Sequence, residues 1–392
     1  MTQARPRISN RDSGSVCPTA CPGCAHRELN AAQSLEKKEQ WLAKKLSAWQ
    51  ERLAPMEAPA PDERSGYRES VCLSARWQEG AWAVGLLTRT HASGDWQDAV
   101  IPIPACPVHS PRVNAALACL TEVLPAAPDF PMSHYVQSGA QVSLVVKTRD
   151  MPAMSWLTPK QREKLENAGI EGLWLHRHPC AGKRVFAKNQ WDLLWGKARS
   201  VDDRLLRPRK LVYGPTSFQQ LIPALYTRAL DAAEAFLAPG ATDLFFDLYC
   251  GTGAGLARWG EKTRQVFGVE LSGESIACAR RNAPQAALYR GACRHRLPQL
   301  SEALARPHEK RLLFANPPRT GLEPELRQWI TEVCRPDRMV YLSCSAGTLK
   351  RDLLELQDRG YQAQALIPYD FFPKTHHVET LALIRRTRPD SL

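Results

Sequence analysis

From about Tyr213 onward, apolar runs that close on Gly, Pro or Asn alternate with stretches of helical period: LFFDLYCGTG, QVFGVEL, RLLFANPP and MVYLSCS. No other feature of the chain restricts its fold so strongly. Strands that alternate with helices must cross over to reach their neighbours, and such crossovers build a mainly parallel sheet. Ligands bind these sheets at the carboxyl ends of the strands. Residues standing there are the first candidates for chemistry.

At 392 residues the chain is too long for one ordinary domain. Residues 1–16 are polar and expected to be disordered, and the start lacks the apolar core of a secretion signal. VCPTACPGCAHREL then places Cys17, Cys21 and Cys24 close together. Leu35, Leu42, Leu46, Trp49 and Leu53 follow at helical spacing, a stripe that covers a core. The Pro-rich stretch 54–66 reads as a linker. Between about Tyr67 and Leu211 the runs VCLSARW, WAVGLLTR, VSLVVKTR and GLWLHR predict short strands. We divide the chain at 1–60, 61–212 and 213–392.

No window reaches the roughly 18 unbroken apolar residues of a membrane helix, so a cytoplasmic protein without a membrane partner is expected. In that compartment the twelve cysteines are thiols, metal ligands or nucleophiles rather than a disulfide framework. The net charge of +12 favours a polyanion, most simply nucleic acid. Residues 177–210 hold ten Lys or Arg against three Asp, interleaved with Phe186, Trp191 and Trp195. Phosphates take such charge and unstacked bases take such rings, which suits RNA. The alternative is a solvated basic face whose aromatics point inward.

DLYCGTGAG (247–255) follows the first strand of the alternating region, and its glycines permit a tight turn beside a ligand. Glu270, near the end of the next strand, is placed to accept from both hydroxyls of a ribose. In ANPPRTGL the prolines force the chain out of the sheet, so Asn316 faces the same edge, with Arg319 after it. Cys344 ends MVYLSC at that edge, where a nucleophile fits better than a structural thiol. HHVETLALIRR starts the last strand with Glu379, a candidate base beside Cys344 if that strand runs antiparallel; His376 and His377 are alternatives.

GPTSFQQ, DLYCGTGAG, GVELSGESIACARRNA, ANPPRTGL, VYLSCSAGTLKRDL and YDFFPKTHHVETLALI come in one order over about 215–388. In that order they resemble the RNA uracil-C5 methyltransferases, which make 5-methyluridine. Asn before PPR looks like the branch that acts on large-subunit ribosomal RNA and lacks a TRAM domain. The resemblance implies an α/β fold: a Rossmann-like, seven-stranded class I methyltransferase domain after a β-rich central domain and an N-terminal iron–sulfur segment. It implies S-adenosylmethionine held by Gln220, Tyr249, Glu270 and Asn316, with Cys344 as nucleophile and Glu379 as base. Thiolate addition at C6 of uracil would make C5 nucleophilic, and a base would then remove the C5 proton. The chain departs from the family at Ser345, usually Asn, and at Ala254, often an amide or aromatic.

CPGCAHREL resembles the family's iron–sulfur segment, with Cys106 in PACPVHSP as a fourth ligand beside Cys17, Cys21 and Cys24. Four thiolates suit a [4Fe–4S] cluster. Zinc is the competitor, and Cys72 the alternative to Cys106. The expected partner is RNA, ribosomal before transfer RNA, with no obligate protein partner. A non-catalytic iron–sulfur RNA-binding protein is the reading from a different class.

Overall fold

The computed structural model describes residues 17–92, 95–182, 184–206 and 209–387. Residues 1–16, expected to be disordered, lie outside them, as do Lys183 and Arg207 of the basic stretch. The chain forms two compact units. One comprises Met1–Ala25, Pro61–Ser200 and Gly214–Leu221, the other His26–Ala60, Val201–Tyr213 and Ile222–Leu392. These units cut across the linear division at 60 and 212.

The first unit holds strands β1 (Ser70–Gln78), β2 (Ala81–Ala92), β3 (Asp95–Pro102), β4 (Met132–Ser138), β5 (Gln141–Val146), β6 (Gly172–Arg177) and β7 (Trp191–Gly196). They form one sheet in the order β3-β2-β1-β4-β5-β6-β7. The pairing is antiparallel except between β5 and β6. Helices Pro111–Val123 and Pro159–Asn167 start on Ser110 and Thr158, whose hydroxyls accept from Val113 N–H and Gln161 N–H. Val113, Leu117, Leu120, Tyr135, Leu144, Leu173 and Leu175 are core residues of this unit.

Strands β8 (Ser200–Leu206) and β9 (Arg209–Tyr213) pair with each other. The second sheet uses β10 (Leu244–Leu248), β11 (Gln265–Glu270), β12 (Ala287–Arg290), β13 (Arg311–Ala315), β14 (Arg338–Ser343), β15 (Tyr361–Tyr369) and β16 (Glu379–Arg386). Its order is β12-β11-β10-β13-β14-β16-β15. The first five strands of that order run parallel, and β16 is reversed against both β14 and β15. The order turns back on itself at β10, where a ligand crevice belongs.

The helix Ala31–Lys45 opens on an Asn30–Gln33 capping box and buries Ser34, Lys38 and Leu42. The apolar stripe is therefore only part of its inward face: Leu42, Leu46 and Trp49 join the core, while Leu35 and Leu53 are half-buried. The stretch expected as a linker begins instead as an extension of the sheet. Leu53 bridges Leu366 and Glu57 bridges Tyr369, both in parallel register. Ala54 N–H donates to Leu366 O at 2.9 Å and Glu57 N–H to Pro368 O at 2.8 Å. Prolines are tolerated there because an added edge segment needs only some of its donors.

Candidate active site

The glycine turn after β10 is a run of left-handed backbone. Tyr249, Gly251 and Gly253 have φ of 62°, 56° and 84°. Glu270 closes it from β11: its Oε2 accepts from Gly251 N–H at 3.1 Å and its Oε1 from Ser272 N–H at 2.7 Å. Each carboxylate oxygen retains a second lone pair for a ribose hydroxyl. Asp247, one step back in β10, is buried, and burial first, then Glu270, raises its carboxyl well above the usual range. A Cβ on Gly255 would stand 2.5 Å from Asp247 Oδ2 and 2.6 Å from the Trp259 ring, so this position needs glycine. The Tyr249 hydroxyl is 3.5 Å from Glu323 Oε2, and Arg294 ion-pairs with that carboxylate at 2.8 Å. This crevice fits a nucleoside cofactor. Sequence reasoning misses Asp247 and Glu323; the one signal for Asp247 is its place two residues before Tyr249.

Asn316 leaves β13 with its N–H on Leu248 O at 3.3 Å, at the same strand ends as Tyr249. Asp352 pins the turn that follows. Its Oδ2 accepts from Leu322 N–H at 3.0 Å and from the Tyr341 hydroxyl at 2.9 Å, and Arg351 reaches Thr320 O at 3.0 Å. Arg319 stands exposed on this turn and donates to His377 Nε2 at 3.4 Å.

Strand β14 pairs with β16 up to Ser343 opposite Thr380, which leaves Cys344 and Glu379 as the flanking residues at the same end of the ladder, close enough for Glu379 to act on the thiol. Ser345 then caps the helix Ala346–Asp358 by accepting from Thr348 N–H. Asn, which the family usually has here, is an equally good cap. Cys344 is half-buried. Burial raises its thiol, Glu379 raises it further, and Arg319 lowers it. Glu379 is 5% exposed, and its Oε2 is buried without a hydrogen-bond partner. Burial pushes its carboxyl up to about 7 against the pull of Arg319. A carboxylate poised near neutrality beside a thiol suits a base and a nucleophile. His376 is exposed and His377 half-buried.

The structure thus brings Tyr249, Glu270, Asn316, Cys344 and Glu379 to one edge of one sheet. Gln220 belongs to the first unit, at the end of Gly214–Leu221. In that unit burial raises the Cys106 thiol, and Cys21 and Cys17 add to the shift, so these three thiols are neighbours. Even so, among the described residues no group of three or more His, Cys, Asp or Glu side chains is arranged to hold a metal ion. The basic stretch also divides. Arg184 and Lys188 are exposed, but Trp191 stacks on buried His176 at 4.0 Å between centroids, and Phe186 packs on Val136, Val145 and Ala181. Both rings are half-buried, each with one side against the sheet. Among the described residues no helix is long and apolar enough to cross a membrane.

A reversed β16 in an otherwise parallel sheet, with the crevice at the strand ends, is a Rossmann-like methyltransferase fold. The family model described as tRNA (Uracil-5-)-methyltransferase matches residues 294–387. An uncharacterized RNA methyltransferase of Clostridium tetani is 31% identical over 252 residues, covering 62% of this chain and 52% of that protein. The chain thus matches about half the length of that relative. A 23S rRNA (uracil(1939)-C(5))-methyltransferase of Marinomonas is 27% identical, covering 94% of this chain and 79% of that one. The crystal structure of Pyrococcus abyssi tRNA (uracil-54, C5)-methyltransferase, in complex with S-adenosyl-L-homocysteine, has the same fold. It superposes with a TM-score of 0.64 at 20% identity, covering 94% of this chain and 86% of that one. The chain is thus similar to RNA uracil-5 methyltransferases, by that family model over its C-terminal part and by the Marinomonas relative over most of its length.

Proposed function

We propose that the chain methylates C5 of one uridine in large-subunit ribosomal RNA, in the cytoplasm, through a covalent adduct. The observation that carries this reading is a buried Glu379 without a hydrogen-bond partner, next to Cys344 at one end of the β14–β16 ladder. Tyr249, Glu270 and Asn316 are the proposed holders of S-adenosylmethionine, which when bound supplies the methyl group. The Cys344 thiolate adds to C6 of the uracil and makes C5 nucleophilic. After methylation Glu379 takes the C5 proton and the thiolate leaves. Arg319 offsets the build-up of negative charge by drawing both groups towards their ionised forms. Reaching C6 requires the uridine to leave its stack, so the target lies in a loop or is flipped.

Ribosomal RNA is favoured by the Marinomonas relative, which aligns over most of both chains. Transfer RNA is the second reading, from the name of the matching family model. RNA carrying 5-fluorouridine separates them, because fluorine cannot leave C5 as a proton does. Ribosomal RNA should give a denaturant-stable protein–RNA band that Cys344→Ala abolishes. A band with transfer RNA alone moves the substrate. No band from protein that binds cofactor ends the enzyme reading in favour of a non-catalytic RNA-binding protein.

For the first unit we propose that Cys17, Cys21, Cys24 and Cys106 close on a [4Fe–4S] cluster only when metal is loaded. Metal draws thiolates together and couples their binding to local folding. No step of the reaction runs through it. Anaerobically purified protein should be brown and carry about four irons per chain; colourless protein with one zinc would replace the cluster by a zinc site.

A further inference from the structure

Lys38 is a buried cation that the proposed chemistry does not use. It is 1% exposed on the inward face of the helix Ala31–Lys45. Its Nζ lies 2.5 Å from Asp370 Oδ1 and donates to Phe372 O at 3.0 Å. Desolvation pushes its ammonium down and Asp370 pulls it back. A buried ion pair is a poor way to gain stability, since apolar residues of the same volume do as well or better. Its position suggests a different use.

Asp370 and Phe372 open the connection between β15 and β16, and that connection ends at Glu379. Further ties hold it from the same N-terminal segment. His26 N–H donates to Lys374 O at 2.9 Å, and Asp370 N–H donates to Glu57 O at 2.9 Å. Within the connection Thr375 Oγ1 donates to Phe372 O at 2.9 Å, and His377 N–H donates to Thr375 Oγ1 at 3.1 Å. Lys374 is held at a φ of 65°, a conformation a side-chain-bearing residue adopts only under constraint. Phe372 O is thus the node where the helix and the connection meet. Cys344 is positioned by other contacts, through β14 and the Ser345 cap.

We propose that the Lys38–Asp370 pair is a positioning device for the base, holding the connection so that Glu379 stands at the C5 proton of the adduct. This rests on the reading of Cys344 and Glu379 above. In the step it governs, the Glu379 carboxylate takes the C5 proton and the C5–H electron pair becomes the C5–C6 double bond. The C6–S pair then returns to Cys344 as thiolate. Addition of the thiolate does not depend on the brace, whereas elimination does.

The two steps are separable on ordinary RNA. Full-length Lys38→Met should bind S-adenosylhomocysteine as the wild type does and turn over about tenfold more slowly or worse. Unlike the wild type, it should accumulate a denaturant-stable adduct on a 23S ribosomal RNA transcript. Lys38→Arg, which keeps charge and donor, should restore turnover. Should Lys38→Met fail to fold, the double variant K38M/D370L decides, because it leaves no unpaired buried carboxylate yet still lacks the tie to Phe372 O. Wild-type turnover in either folded variant, or slow turnover without adduct, overturns the brace. If the wild type forms no adduct with 5-fluorouridine RNA, the catalytic reading fails, and the brace with it.

Discussion

At the scale of single residues, Glu379 works against the ionisation of Cys344 while Arg319 favours the ionisation of both. Glu379→Gln removes a negative neighbour from the thiol, so the pH midpoint of Cys344 alkylation should fall; Arg319→Gln should raise it. A midpoint that ignores both changes would separate the groups and undo the proposed pairing. The same carboxyl also marks stability. Its folded value of about 7 stands above the ordinary 4.5, so the stability it contributes is full below about 4.5 and is lost as pH climbs through about 7. Glu379→Gln should match the wild type in urea melts near pH 4 and exceed it by on the order of 3 kcal/mol near pH 8.

Single elements carry the site because each functional residue stands where a strand ends and a turn is forced. The glycine turn depends on Gly255, where a side chain would meet Asp247 and the Trp259 ring, both buried. Gly255→Ala should cost ~1–3 kcal/mol by overpacking and weaken S-adenosylhomocysteine binding, measured by thermal melts and titration. An unchanged melting temperature would show that the turn has room the structure does not give it. Asp352 does the same service for the Arg319 turn, gathering Leu322 N–H and the Tyr341 hydroxyl on one oxygen. This part of the site was legible in the amino-acid sequence, because turn chemistry is local. Pro317, Pro318 and the glycines of 251–255 announce where strands stop.

On the scale of the whole molecule, the net charge of +12 implies a polyanion without reference to any site. Arg184 and Lys188 are exposed cations of the first unit. Reversing both charges should weaken RNA binding and flatten its salt dependence, since each phosphate that is no longer neutralised takes about one counterion from the slope. An unchanged slope would mean the face is only solvated. For the aromatic half of that reading, pattern cannot tell a ring stacked on buried His176 from one offered to a base.

The sequence by itself determined the parallel sheet, the crevice-side edge and the residue types standing there. Strand periodicity and turn residues act over a few positions and survive in any window of the chain. Only the tertiary structure decided that Cys344 and Glu379 stand at the same end of the sheet, because β16 had to enter the sheet reversed between β14 and β15. It alone decided that Lys38, a residue type that rarely leaves solvent, is buried on Asp370, 332 positions away. Pairings of that range exist only after the chain has closed on itself, and burial is a property of what closes over a residue rather than of the residue.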